Sequence, residues 1–292
     1  MHTNARAGIL FLAPALIAIA LFFFVPVLAA FVLSFTDFDI YSLADIQFAR
    51  FVGFRNYARI FEDPLFWKAL RNTTYFLVVG GPLSIAVSLS AALMLHSKLV
   101  RFKGFFRVIY FSPVVTTLVA VAAVWRFIYH TRFGVLNYLL SFVGISPVDW
   151  LGDPAWAMPA IILLAVWKNF GYNMIIFIAG LQNIPSELYE AASIDGAGRL
   201  QQFRSITLPM LAPTTLFITI ITMIGYFQLF AEPYVMTQGG PLHGTLSIVL
   251  LMYEQGFRWW NMGYSAAIAF VLFGLIAIVS GIQSQLQRRL QA

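Results

Sequence analysis

ILFLAPALIAIALFFFVPVLAAFVLSF, residues 9–35, runs 27 residues without Asp, Glu, Lys or Arg. A helix needs about 20 apolar residues to cross the hydrocarbon of a bilayer, and a cleaved signal peptide has an apolar core of only about 7–15. The stretch is therefore predicted to be retained as a membrane span, with Pro14 and Pro26 tolerated as prolines are in membrane helices. Working outward, 72–97, 108–125, 169–186, 205–231 and 259–287 are equally free of charge over 18 residues or more. The spacing predicts six spans at 9–35, 73–95, 106–129, 156–181, 211–231 and 263–283. The fold class is all-α, six transmembrane helices in one membrane domain over 1–292, since no repeat or low-complexity linker divides the chain.

Composition agrees. The hydrophobic set makes up 60% of the 292 residues and charged residues only 10%, against about 25% in a soluble domain. Cys is absent, which excludes thiolate zinc sites, disulfides and Cys nucleophiles. His2, His96, His130 and His243 are far apart, so neither a metal site nor a nucleophile triad is proposed. The net charge of +6 is scattered between apolar runs and forms no stripe for nucleic acid.

The basic residues set orientation instead. With both termini inside, 1–8, 97–107, 182–210 and 284–292 hold Arg6, Lys98, Arg101, Lys103, Arg107, Arg199, Arg204, Arg288 and Arg289, nine in 57 residues; the opposite loops hold seven in 94. Positive charge is denser on the cytoplasmic side, as membrane proteins prefer. Against this stands the loop after span one, with Arg50, Arg55, Arg59, Lys68 and Arg71; its NYARIFEDPLFWKAL stretch, 56–70, is predicted to lie as an amphipathic segment at the interface. Leu246 to Tyr253 is too short to cross and is predicted to be a partly inserted hairpin or short helix on the outer face.

Residues 182–210 break the apolar pattern with QNIPSELYEAASIDGAGRLQQFRSITLPM. Pro185 and Ser186 start a helix, Glu187 and Glu190 suit its positive end, and Gly196 and Gly198 stop it, giving a helix-turn-helix. Leu188, Ala191 and Ala192 share one low-relief face open to a partner.

Glu190 to Pro209, EAASIDGAGRLQQFRSITLP, fills every fixed position of the EAA signature of ABC importer permeases, and the chain resembles that family. VGFRNYARIF at 52–61, FGVLNYLL at 133–140, LQNIPSELYEAASIDGAG at 181–198 and TQGGP at 237–241 are similar to its carbohydrate-uptake branch. The resemblance implies a type I ABC importer permease fold and a permease subunit of the bacterial inner membrane. It further implies an EAA loop that docks on a cytoplasmic ATPase through Glu187, Glu190, Ala191, Ala192, Asp195, Gly196, Arg199 and Pro209. The implied partners are a second related permease in a heterodimer, two ATP-binding cassette subunits and an extracytoplasmic solute-binding protein that delivers a di- or oligosaccharide. This chain has no G-x-x-x-x-G-K-[ST] loop, so ATP and Mg are expected on the separate subunit.

Inside the spans, Lys168 is an expensive cation that needs a cavity or a partner. Asn169, Tyr172 and Asn173 lie beside it, offering the hydrogen bonds and flat ring that sugars use; the same cluster would also serve to hold helices together. Thr215, Thr219, Thr222 and Tyr226 form one polar stripe on span five, either a pathway wall or threonines bonded to their own backbone. The resemblance to maltose permeases places substrate contacts at Lys168, Asn169, Tyr172, Thr222, Gly225, Tyr226 and Leu229. Those permeases usually carry a neutral residue where this chain has Lys168, which leaves a glycerol-phosphate-type substrate open. Arg126 and Glu232, at span ends, are expected to reach water and are given no role. An ion-coupled secondary transporter is the rival class; it calls for paired mid-membrane acids and inverted repeats, which the sequence lacks.

Overall fold

The structure is a computed structural model that describes residues 2–44, 49–97 and 100–291, with side chains for 9–42, 49–97 and 100–285. Lys98 and the side chains of Arg6, Arg288 and Arg289, on which the charge count partly rests, lie outside the described residues. Among those described there is no strand, only an antiparallel bridge between Thr36 and Phe51. Four helices are long and apolar enough to cross a membrane: Ile9–Leu33, Pro64–His96, Ala157–Gln182 and Met262–Gln285. Two bent pairs, Lys103–Val115 with Leu118–Ile128 and Arg199–Met210 with Ala212–Phe227, bring the number of spans to six where each pair is counted as one.

The contacts divide the chain into two compact units: Met1–Trp67 with Leu251–Gly274, and Lys68–Leu250 with Leu275–Ala292. In the first, Asn56 donates to the carbonyls of Ser34 at 2.9 Å and Thr36 at 2.8 Å, closing the end of span one. Span six joins this unit where Gly263 N–H donates to Phe38 O at 3.0 Å; a Cβ at Gly263 would stand 2.1 Å from Thr36 O. Tyr264 Oη donates to Asp63 at 2.7 Å, and the Arg59 guanidinium lies 4.2 Å over the same ring.

The predicted interfacial segment at 56–70 is corrected. Arg55–Glu62 is a separate helix that ends at Asp63, and PLFWKAL instead opens span two, Pro64–His96. Asp63 causes this: its carboxylate accepts from Leu65 N–H at 2.8 Å, and Pro64 is suited to a first helical turn.

Three of the four π-turns among the described residues, Ala20–Phe24, Phe76–Gly80 and Phe203–Thr207, end two residues before a proline: Pro26, Pro82 and Pro209. A proline inside a helix clashes with the carbonyl four residues back, here Phe22, Val78 and Ser205, each in the middle of its π-turn. The wider turn moves that carbonyl aside and keeps the helix continuous.

In the second unit, span four is an unbroken helix, Ala157–Gln182, whose Met174, Phe177, Ile178 and Leu181 pack with Ala92 and Leu95 of span two and Leu211 and Ile218 around span five. Gly171 lets it approach span three closely, since a Cβ there would stand 2.0 Å from Tyr110 O. Span three itself departs from the predicted single helix 106–129: it turns by 99° between Val115 and Leu118. Thr116 and Thr117 are extended, following Pro113 in the last turn, and Thr116 Oγ1 donates to Pro113 O at 2.6 Å. Span five stops at Phe227, short of the predicted 231, and a short helix, Ala231–Met236, follows.

The loop that carries TQGGP is held by the start of span two. Lys68 donates to Leu242 O at 2.6 Å, Asn72 to His243 O at 2.9 Å and Leu246 O at 3.0 Å, and Ile248 N–H to Thr73 Oγ1 at 3.1 Å. The run Leu246 to Tyr253 forms the short helix Ile248–Tyr253.

Candidate translocation cavity and coupling surface

A cavity of about 550 Å³ opens where spans three, four and five meet. Its walls come from the break in span three (Val114, Leu118), the middle of span four (Asn169, Tyr172, Asn173), the end of span five (Thr222, Gly225, Tyr226) and the segment Gln228 to Glu232. Asn169, Tyr172 and Asn173 reach it together because i, i+3 and i+4 share a helix face. Tyr172 is 48% exposed, so its ring is free to be covered by a guest. Asn173 Nδ2 donates to Thr222 Oγ1 at 3.1 Å and ties span four to span five. Tyr226 packs on Phe76 at 4.7 Å, and its buried hydroxyl has no hydrogen-bond partner of ordinary geometry among the described residues.

Of the seven residues singled out for the substrate path, the structure brings six to this cavity: Asn169, Tyr172, Thr222, Gly225, Tyr226 and Leu229. Lys168 is the exception and does not line it. It is only 9% exposed, and its ammonium donates to Pro113 O at 3.0 Å, Val114 O at 3.4 Å and Thr116 O at 3.0 Å. Breaking a helix strands the carbonyls of its last turn, and a cation is the favoured partner for that negative end. Lys168 closes the break in span three. On the polar stripe of span five, Thr219 Oγ1 donates to Thr215 O at 2.7 Å, the local bond of an ordinary helical threonine, and neither residue lines the cavity.

Glu232 was missed. The sequence places it at a span end with access to water, yet it is 9% exposed and lines the cavity. Only the early end of span five and the short helix after it carry Glu232 inward, and neither is written in the charge pattern. Arg126 does lie exposed, with a long bond of 3.4 Å to Val235 O.

On the loop between spans four and five, Ser186–Ile194 and Arg199–Met210 form the helix-turn-helix read from the sequence. Gly196 makes the turn at φ +79°, a conformation natural to glycine, while Gly198 precedes the next helix instead of stopping the first. Tyr189 Oη and Thr207 Oγ1, 2.9 Å apart, and Gln202 Nε2 donating to Ser193 Oγ at 2.9 Å fix the two helices together. Glu187, Glu190, Ala191, Asp195, Gly196, Arg199 and Pro209 are all exposed and Ala192 is half-buried. Beside them Ile194 is 87% exposed and Leu200 62%. Apolar side chains held in a fixed, uncovered array are what a partner surface requires.

Comparison with known proteins agrees with this architecture. The profile of the family described as binding-protein-dependent transport system inner membrane component matches residues 4–292. The lactose transport system permease protein LacF of Rhizobium radiobacter is 40% identical over 94% of this chain and 92% of its own length. The arabinooligosaccharides transport system permease protein AraP of Bacillus subtilis is 36% identical over 98% and 90%. In structure, a chain of a bacterial alginate ABC transporter, solved in complex with an alginate pentasaccharide-bound periplasmic protein, superimposes with a TM-score of 0.81 at 22% identity, covering 98% of this chain and 96% of that one. The chain is thus a multi-pass membrane protein and a transport subunit, not an enzyme, and it belongs to the family of binding-protein-dependent transport system inner membrane components.

Proposed function

We propose that this chain is the permease subunit of an ATP-driven importer that passes a di- or oligosaccharide through the cavity between spans three, four and five. The observation that carries the reading is the composition of that wall. Tyr172 offers an exposed ring, Phe76 and Phe230 add apolar lining, and Asn169, Thr222, Gln228 and Glu232 offer hydrogen-bonding groups, in a volume of about 550 Å³ within the range of small-molecule sites. The lactose and arabinooligosaccharide permeases among its relatives support a sugar as cargo.

Both termini lie in the cytoplasm of a bacterial cell, and the whole chain acts as one permease domain. Glu187, Glu190, Ala191, Ala192, Asp195, Gly196, Arg199 and Pro209 seat the helix-turn-helix in one of two ATPase subunits, which bind ATP and Mg. A second, related permease completes the channel, and a solute-binding protein delivers the sugar from outside. The relative caught with its periplasmic protein supports that last partner. ATPase closure then moves Ser186–Ile194 as a rigid lever, and the cavity changes the side on which it opens.

The test is sugar-stimulated ATP hydrolysis by the reconstituted complex. Gly196→Asp and Glu190→Lys alter the exposed loop without touching a span, so both are expected to insert normally and to lose stimulation by loaded binding protein. Normal stimulation in both removes the coupling assignment.

A further inference from the structure

The chain has no Asp or Glu between Asp63 and Asp149, yet RFKGFFR, 101–107, gathers Arg101, Lys103 and Arg107 where span two turns into span three. Span two ends at His96 and the first half of span three begins at Lys103, so the turn stands where hydrocarbon gives way to headgroups. It lies at the end of its unit that bears the helix-turn-helix: Val100 and Phe106 pack on the same buried cluster as Tyr189 and Ile206.

Lys103 serves the turn itself, since its Nζ donates to His96 O at 3.1 Å and sets a cation at the C-terminal end of span two. Arg107, one turn further along the same helix face, has no such duty. It is half-buried, and its Nε is closed off from solvent without a hydrogen-bond partner among the described residues. Among those residues the ion pair within 4.0 Å is Arg258 with Glu254, so Glu187, Glu190 and Asp195 of the helix-turn-helix form none with these three cations.

The surroundings of Arg107 are apolar and open. Phe102, Phe105 and Val108 are exposed, and Gly104, which shares a face with Arg107 and Val108, would have nothing within 4 Å of a Cβ. An acidic side chain of a soluble partner would match the cations and leave the apolar groups uncovered. A lipid matches both, because a phosphate fits the planar guanidinium and acyl chains cover the rings.

We propose that Arg101, Lys103 and Arg107 bind the headgroup phosphate of an anionic phospholipid, in the leaflet on the helix-turn-helix side. The bound lipid braces the turn beside the coupling surface, whatever cargo the cavity carries.

The test places a bimane label at Gly104→Cys, the single thiol of this chain, in the full complex built with cysteine-free partner subunits in nanodiscs. At equal, low mole fraction, brominated phosphatidylglycerol is expected to quench the label about fivefold more than brominated phosphatidylcholine, the factor that one basic side chain contributes near an anionic surface. Arg107→Gln should cut that ratio to about twofold or less. Arg107→Lys, which keeps the charge and loses the fork, should fall between. Arg126→Gln, an exposed arginine in the second half of span three, should leave it unchanged. Arg101→Gln, in the exposed turn, should also lower the ratio and keeps the proposal refutable if Arg107→Gln fails to assemble. Equal quenching by the two lipids, or a ratio indifferent to both Arg101 and Arg107, overturns the lipid site. So does a preference abolished by millimolar inorganic phosphate at constant ionic strength, which would make the ligand a soluble anion.

Discussion

Spans three and four are both apolar and lie against each other, yet one is bent by 99° and the other runs 26 residues unbroken. Pro113 and two extended threonines end the first half of span three inside the apolar layer, where stranded carbonyls have no water to turn to. Span four meets that need with Lys168 and allows close approach with Gly171. The pair teaches that a charge on one membrane helix is best read against the defects of its neighbour. An apparent ligand contact on the straight helix is the closure of the bent one, and the bend in turn opens the wall of the cavity.

The contact at Gly171 gives the largest expected effect. Any side chain there places Cβ 2.0 Å from a backbone oxygen, so the backbone itself would have to shift. Gly171→Leu should force spans three and four apart at a cost of about 3 kcal/mol or more, read as loss of a monodisperse, heat-stable complex. Gly225, with nothing within 4 Å of its Cβ, is the contrast, and Gly225→Ala should melt like the wild type.

Lys168→Met comes next. Removing a charge-assisted donor from three carbonyls should cost about 2–3 kcal/mol, seen as a lower melting temperature. Lys168→Arg, which keeps charge and donors, should recover part of it. A Lys168→Met variant that melts normally and loses only transport would return Lys168 to the substrate path. Smaller still is Asn173→Leu, which removes the bond to Thr222; interhelical bonds of this kind are worth about 0.6 kcal/mol on average. That variant should stay within a few degrees of the wild type.

Much of this was legible in the sequence, for identifiable reasons. Six spans follow from charge-free length, which is dictated by the bilayer. Asn169 and Tyr172 follow from helical spacing, and the turn at Gly196 from glycine at the end of a helix. The break in span three was not legible, because Pro113 is compatible with a kinked span as well as a broken one, and Thr116 and Thr117 decide between them only in the fold. Since the break was hidden, so was the role of Lys168. Glu232 stayed hidden because its depth depends on span five ending at Phe227, while uncharged residues continue to Ala231. The π-turns, by contrast, had a readable sign in Pro26, Pro82 and Pro209.

The central claim is that Tyr172 stands in the sugar path and Lys168, one turn away, does not. The chain has no cysteine, so Tyr172→Cys gives a single reactive thiol on this subunit. Its rate of labelling by a small polar maleimide, with and without lactose or maltose in the reconstituted complex, tests the claim most directly. The account predicts that at least one sugar slows labelling about fivefold or more, as expected for a side chain covered by a bound guest. Equal rates with and without sugar would contradict it.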